Sequence, residues 1–116
     1  MAVNPHLLGG SLGMLVLALL DEGDFYGYAI IRTLAERSNH LFDMQEGTLY
    51  PVLHKLENKG LVKSYTAKSD SGRKRKYYKI TKKGRLQLIH EKEEWAVFSR
   101  SVDRLMGGEA HAFSPA

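Results

Sequence analysis

Apolar positions follow two different rhythms along this chain. Between residues 7 and 20 they are nearly continuous (LLGGSLGMLVLALL). Leu12, Leu15, Val16, Leu19 and Leu20 fall at helical spacing on more than one side. Such a helix is buried on most sides, either within a core or shared with a second chain. Asp21-Glu22-Gly23-Asp24 ends it, with Gly23 suited to the position after a helix. A second helix is predicted from Gly27, with Tyr28, Ile31, Leu34 and Ala35 inward and Arg32, Glu36 and Arg37 outward. Ser38-Asn39-His40 stops it, and a short turn leads on. The third helix covers residues 46–58. There Leu49, Val52, Leu53 and Leu56 lie at i, i+3, i+4 and i+7 and make one buried stripe, and Gly60 closes the helix. Asp43 and Glu46 have the spacing of a capping box. Pro51 then falls inside the helix and removes a backbone hydrogen bond, less damagingly if the helix starts at Gly47, so a distorted first turn is predicted.

The rhythm then changes to two. Residues 61–66 and 76–80 read as strands, and Lys68-Ser69-Asp70-Ser71-Gly72 between them is turn chemistry, which together make a β-hairpin. Alternation sends Tyr78 inward and Tyr77 outward. A last helix runs over residues 81–106, about 39 Å, too long to pack along its whole length on so small a core. Its apolar set, Leu88, Trp95 and Val102 with Phe98 and Leu105 offset, is interrupted in the heptad only by Glu91 and reads as a seam for a partner helix. Leu12, Leu15 and Leu19 of the over-apolar first helix join these five as expected dimer-interface positions. Residues 107–116 show no periodicity and are expected to be a disordered tail. The fold class is therefore mainly α with a small β-hairpin. A winged helix-turn-helix occupies residues 1–80 and a long C-terminal dimerisation helix residues 81–106.

Charge sharpens this picture. The 116 residues carry a net charge of +4, but unevenly. Residues 1–54 hold two bases against six acids, residues 55–85 twelve against two, and residues 86–116 three against five. A net +10 within about thirty residues is a candidate polyanion surface. In a winged helix, Thr48, Tyr50, His54 and Lys55 on the polar face of the third helix suit a major groove. Lys63, Arg73, Lys74, Arg75, Lys76 and Tyr77 of the wing suit phosphates or an adjacent minor groove.

Other chemistry is poorly represented. There are no cysteines, which excludes a disulfide scaffold, thiolate metal sites and a Cys nucleophile, and fits a reducing, cytoplasmic setting. The apolar run at residues 7–20 is too short for a membrane span. The five histidines lack metal-ligand spacing, and no nucleophile elbow or phosphate loop occurs. His90 and Glu94, four apart, read as a helix-surface pair. No cofactor is implied. The rival classes are an enzyme, an RNA binder without the exposed aromatic platform such proteins use, and a winged-helix protein–protein module that binds no operator.

Several motifs together resemble the PadR-type transcriptional regulators. Glu46-Gly47-Thr48-Leu49-Tyr50-Pro51, continuing to Leu53, Leu56-Glu57 and Gly60-Leu61, is similar to their recognition helix. Phe25-Tyr26-Gly27-Tyr28-Ala29-Ile30 resembles the opening of their second helix. Gly72-Arg73-Lys74-Arg75-Lys76-Tyr77-Tyr78 with Thr81 resembles their wing, and Trp95 with Val102-Asp103-Arg104-Leu105 their C-terminal helix. The resemblance covers about residues 7–106 and departs at the wing tip, where Asp70 sets an acid near the phosphates. It implies a homodimeric repressor on a palindromic operator, released by a small molecule. The single C-terminal helix resembles that of the short subfamily, some of whose members hold planar aromatic compounds between subunits against a tryptophan. Trp95 matches that position.

Overall fold

The computed structural model describes residues 5–107, with side chains from Ser11 onward. The order is α1 (Pro5–Leu20), β1 (Phe25–Tyr26), α2 (Gly27–Arg37), α3 (Glu46–Asn58), β2 (Val62–Lys68), β3 (Lys74–Ile80) and α4 (Lys82–Leu105). The hairpin is one strand richer than the sequence suggests. β1 pairs antiparallel with β3, giving the order β1-β3-β2, with Phe25 opposite Tyr78 and Tyr26 opposite Tyr77. Two residues are too few to show alternation, and β1 runs straight into α2. The expected disordered tail lies outside the described residues apart from Gly107.

α1 passes through the middle of the molecule. Leu12, Val16, Leu17, Leu19 and Leu20 are all buried, meeting Ile30 and Leu34 of α2, Leu49, Leu53 and Leu56 of α3, Tyr78 and Ile80 of β3, and Leu88 of α4 in one core. Of the two settings its pattern allows, the helix takes the first. Leu12, Leu19 and Leu88, expected at a subunit interface, are instead closed inside the protomer, each at most 3% exposed. An apolar seam read from sequence does not say whose core it fills. Here α3, the sheet and the start of α4 cover α1 within the same chain.

The connection between α2 and α3, residues 38–45, is longer than a short turn. Ser38 terminates α2: its hydroxyl donates to the Leu34 carbonyl at 2.6 Å and accepts from the Phe42 amide at 2.9 Å. Asn39 and His40 follow with positive φ, and buried Met44 then pins the loop to the core. The Asp43–Glu46 capping box does not form. Gln45 is the N-cap and its side chain makes no capping bond. Its carbonyl accepts from both Thr48 and Leu49, at 3.0 and 3.1 Å, so the first turn is tight. Pro51 withholds a donor from the Gly47 carbonyl on the exposed side.

α4 is seated firmly at its first turn. The Thr81 hydroxyl accepts from the Gly84 amide at 3.0 Å and lies 2.7 Å from the Gly60 carbonyl, to which it can donate. Gly84 sits directly on the Leu61 carbonyl and Ile80. Arg85 pairs with Asp21 at 3.1 Å, and Arg37 with Glu22 at 2.7 Å. The Arg37 guanidinium holds the Glu22 carboxyl below its ordinary range.

Candidate nucleic-acid interface

Leu49, Leu53 and Leu56 turn one side of α3 into the core. The 3.6-residue period therefore sets Gly47, Pro51, His54 and Asn58 at the centre of the opposite side, all of them exposed. Thr48 and Lys55 lie on one flank of that side and Tyr50 on the other. Thr48 and His54 stand open as the sequence suggests. Tyr50 does not project freely. Its hydroxyl and ring edge rest on Gly27 at the start of α2, leaving no room there for a Cβ. Partial burial, with the Glu46 carboxylate nearby, pushes the Tyr50 hydroxyl pKa above its ordinary value, while the Lys76 ammonium opposes this. The Tyr50 hydroxyl thus lies within electrostatic range of the Lys76 ammonium.

The basic run of the wing divides between two faces. Strand alternation sets Lys74 and Lys76 on the side of buried Tyr78, and the Lys76 ammonium lies 5.6 Å from the Tyr78 ring centre. Arg73, at the turn, is exposed. Arg75 and Tyr77 occupy the opposite face, and the Arg75 guanidinium lies 4.4 Å over the Tyr26 ring. Lys63, opposite Lys79 in the register, belongs to that outer face as well. The run therefore does not form one patch on the α3 side: Arg75, Tyr77 and Lys63 look away from Lys74 and Lys76. The wing tip is closed by bonds between Ser69 and Arg73.

The positive block is also shared with a second surface. Lys55, Lys59 and Lys83 line an open groove of about 820 Å³ between α1, α3 and α4, together with Met14, Val52, Trp95 and Phe98. Lys55 therefore borders this groove and is off the centre of the exposed side of α3. Glu91 and Glu94 line it too. Trp95 is 50% exposed and 5.9 Å from Phe98. Of the expected interface residues, Trp95, Phe98 and Leu105 are exposed, and Leu15 and Val102 are half-buried. α4 also carries a second exposed apolar stripe, Leu86, Ile89 and Val97, on its other side. The sequence reading missed it, although its i, i+3, i+11 spacing was there to see. His90 and Glu94 form an exposed pair at 3.4 Å. Among the described residues no cluster of three metal-ligating side chains occurs, and no helix is long and apolar enough to cross a membrane.

Comparison with known proteins agrees with this geometry. The sequence profile of the transcriptional regulator PadR-like family matches residues 16–90. An uncharacterized protein of Lysinibacillus sphaericus is 37% identical over 106 residues, covering 91% of this chain and 97% of its own length. A transcriptional regulator of Mycobacterium tuberculosis is 38% identical over 76 residues, 66% of this chain and 67% of its own. Among solved structures, a PadR-like transcriptional regulator from Bacillus cereus superposes with a TM-score of 0.79 at 33% identity, over 90% of this chain and 99% of that one.

Proposed function

The chain belongs to the PadR-like family of transcriptional regulators, and from that membership we propose that it is a homodimeric repressor of a palindromic operator, acting in the cytoplasm and released by a small planar hydrophobic effector. Transcriptional regulation through DNA is the family's trade; repression, dimerisation and release are the proposal. One observation supports it most: α3 turns Leu49, Leu53 and Leu56 into the core and leaves Thr48 and His54 exposed, in the same head as a hairpin whose Lys74 and Lys76 are exposed as well. An exposed polar helix side and exposed wing lysines are the two elements that operator recognition requires, one for the major groove and one for phosphates.

The head, up to residue 80, reads DNA, and α4 joins two heads. Two half-sites one turn apart need recognition helices about 34 Å apart, and exposed Trp95, Phe98 and Leu105 give a partner apolar surface to cover. An effector beside Trp95 would favour a crossing of the two α4 helices that misplaces the heads, and it switches binding only if it prefers that arrangement by a few kcal/mol.

The test is selection of duplex fragments from a genomic pool, followed by titration of the recovered duplex at several salt concentrations. Enrichment of a two-fold symmetric sequence, with affinity falling steeply as salt rises, is the expected result. No enrichment above random duplex would refute operator recognition. Planar aromatic compounds should quench the single tryptophan and weaken operator binding over the same concentration range. Quenching without loss of DNA affinity would mean that the pocket exists but is not the switch, and no quenching by a broad panel of such compounds would leave Trp95 as interface packing alone.

A further inference from the structure

The outer face of the sheet carries a row of side chains that DNA contact does not account for. Tyr65 on β2, Tyr77 on β3 and Tyr26 on β1 stand in register across all three strands. Tyr65 and Tyr77 stack at 5.6 Å with their planes 14° apart, and Tyr77 meets Tyr26 edge-on at 5.5 Å and 83°. The Tyr65 hydroxyl donates to the Asp24 carboxylate just before β1. At the other end Arg75 lies over Tyr26 at 4.4 Å, and its Nε is buried without a hydrogen-bond partner. A guanidinium held in this way is taken up by a ring within its own chain and faces away from Lys74 and Lys76. β1 pairs with β3 through only two residues, and this side-chain row adds a lateral tie between the wing and the strand that opens α2. The first turn of α2 in turn supports Tyr50 of α3 at Gly27.

We propose that Arg75 is a positioning residue: stacked on Tyr26 at the end of the tyrosine row, it fixes the direction of the wing relative to α3 so that Lys74 and Lys76, on the opposite face, meet the DNA. This rests on the operator-binding reading above.

A phosphate ligand and a positioning residue respond differently to salt. The test measures affinity for the selected duplex over a salt series, together with amide hydrogen exchange of β3 in the free protein. Arg75→Ala weakens binding by about three- to tenfold, the worth of a partly desolvated cation–π contact, and leaves the slope of log K on log salt unchanged. Arg73→Ala, at the exposed turn, lowers that slope by about one. Arg75→Lys keeps the charge but loses the planar stack, and behaves like Arg75→Ala. Tyr26→Leu reproduces the loss, the double variant adds nothing further, and Tyr26→Phe, which keeps a ring beneath the guanidinium, restores it. Amides of β3 exchange faster in Arg75→Ala and in Tyr26→Leu. A slope lowered by about one in Arg75→Ala, with affinity rescued by Arg75→Lys, would make Arg75 a phosphate ligand and overturn the proposal. If the wild type binds no duplex in a salt-dependent way, the operator reading fails instead. The exchange experiment still decides the tie, because unchanged β3 protection in both variants refutes it.

Discussion

Gly84→Ala tests how α4 is attached. A Cβ built at Gly84 lies 2.7 Å from Ile80 Cγ1 and 3.1 Å from the Leu61 carbonyl carbon, and closer still to its oxygen. Two effects oppose each other. Alanine in place of glycine near a helix start gains up to about 1 kcal/mol. Overpacking a close contact costs roughly 1–3 kcal/mol, and most where the neighbour cannot give way. The Leu61 carbonyl cannot rotate aside. It accepts from the Thr81 amide at 3.0 Å and lies 3.1 Å from the Thr81 hydroxyl, the same residue that caps α4. The overlap therefore prevails, with a net loss of about 2 kcal/mol. For a domain of this size that lowers the melting temperature by roughly 10 °C. Thermal and urea denaturation at a single fixed protein concentration, because dimerisation would make the midpoint concentration-dependent, reads this directly. Gly47→Ala is the control. Nothing lies within 4 Å of its new Cβ, so stability should stay level or rise by up to about 1 kcal/mol. A Gly84→Ala protein as stable as the wild type would refute the close seating of α4 on the head.

Three further outcomes follow from the geometry. Gly27→Ala should displace the Tyr50 ring, a side chain able to move, so that discrimination between operator and random duplex changes while the melting temperature shifts little; unchanged discrimination would detach Tyr50 from recognition. Tyr65 should ionise above the ordinary tyrosine value of 10.0 because its proton is donated to Asp24. Its folded pKa is raised, so the stability that the bond contributes is complete below about pH 10 and is lost as pH rises through the folded value; phenolate absorbance of wild type against Asp24→Asn should show the variant titrating earlier, and coincident curves would contradict the bond. Trp95→Asp should yield monomers by sedimentation at micromolar concentration, since the half-exposed ring tolerates a charge in a lone chain but not beneath a partner; a persisting dimer would remove Trp95 from the interface.

Much of the architecture was written in periodicities. The buried stripe of α3, the hairpin, and Tyr78 inward against Tyr77 outward all follow from spacing. Where the structure adds to the sequence, the reason is the same each time: sequence proximity hides facing. Arg73-Lys74-Arg75-Lys76 reads as one basic patch, yet a strand sends alternate members to opposite sides, and the inward Tyr78 already implied that Arg75 shares the face of Tyr77. Lys55 reads as a base of the recognition helix, and in the structure it is exposed on the flank that also borders the groove with α1 and α4. Leu12, Leu19 and Leu88 carried an unmistakable apolar signal with no information on whether the covering surface belongs to the same chain. β1 lay beyond reach because its existence depends on a partner strand some fifty positions away.

The seating of α4 makes its length a phase-setting element. Because Thr81, Gly84 and Arg85 fix the first turn to the head, everything beyond Leu88 behaves as a shaft about 25 Å long. Inserting one residue just after Leu88 would turn the distal seam by about 100° about the shaft axis. Inserting seven would return it to within about 20° while carrying it roughly 10 Å outward. If α4 pairs as proposed, deletions and insertions in that stretch should be tolerated in steps of a heptad, while each step resets the distance between the two heads. In the proposed dimer, the half-site spacing that is accepted is then set by the register of α4.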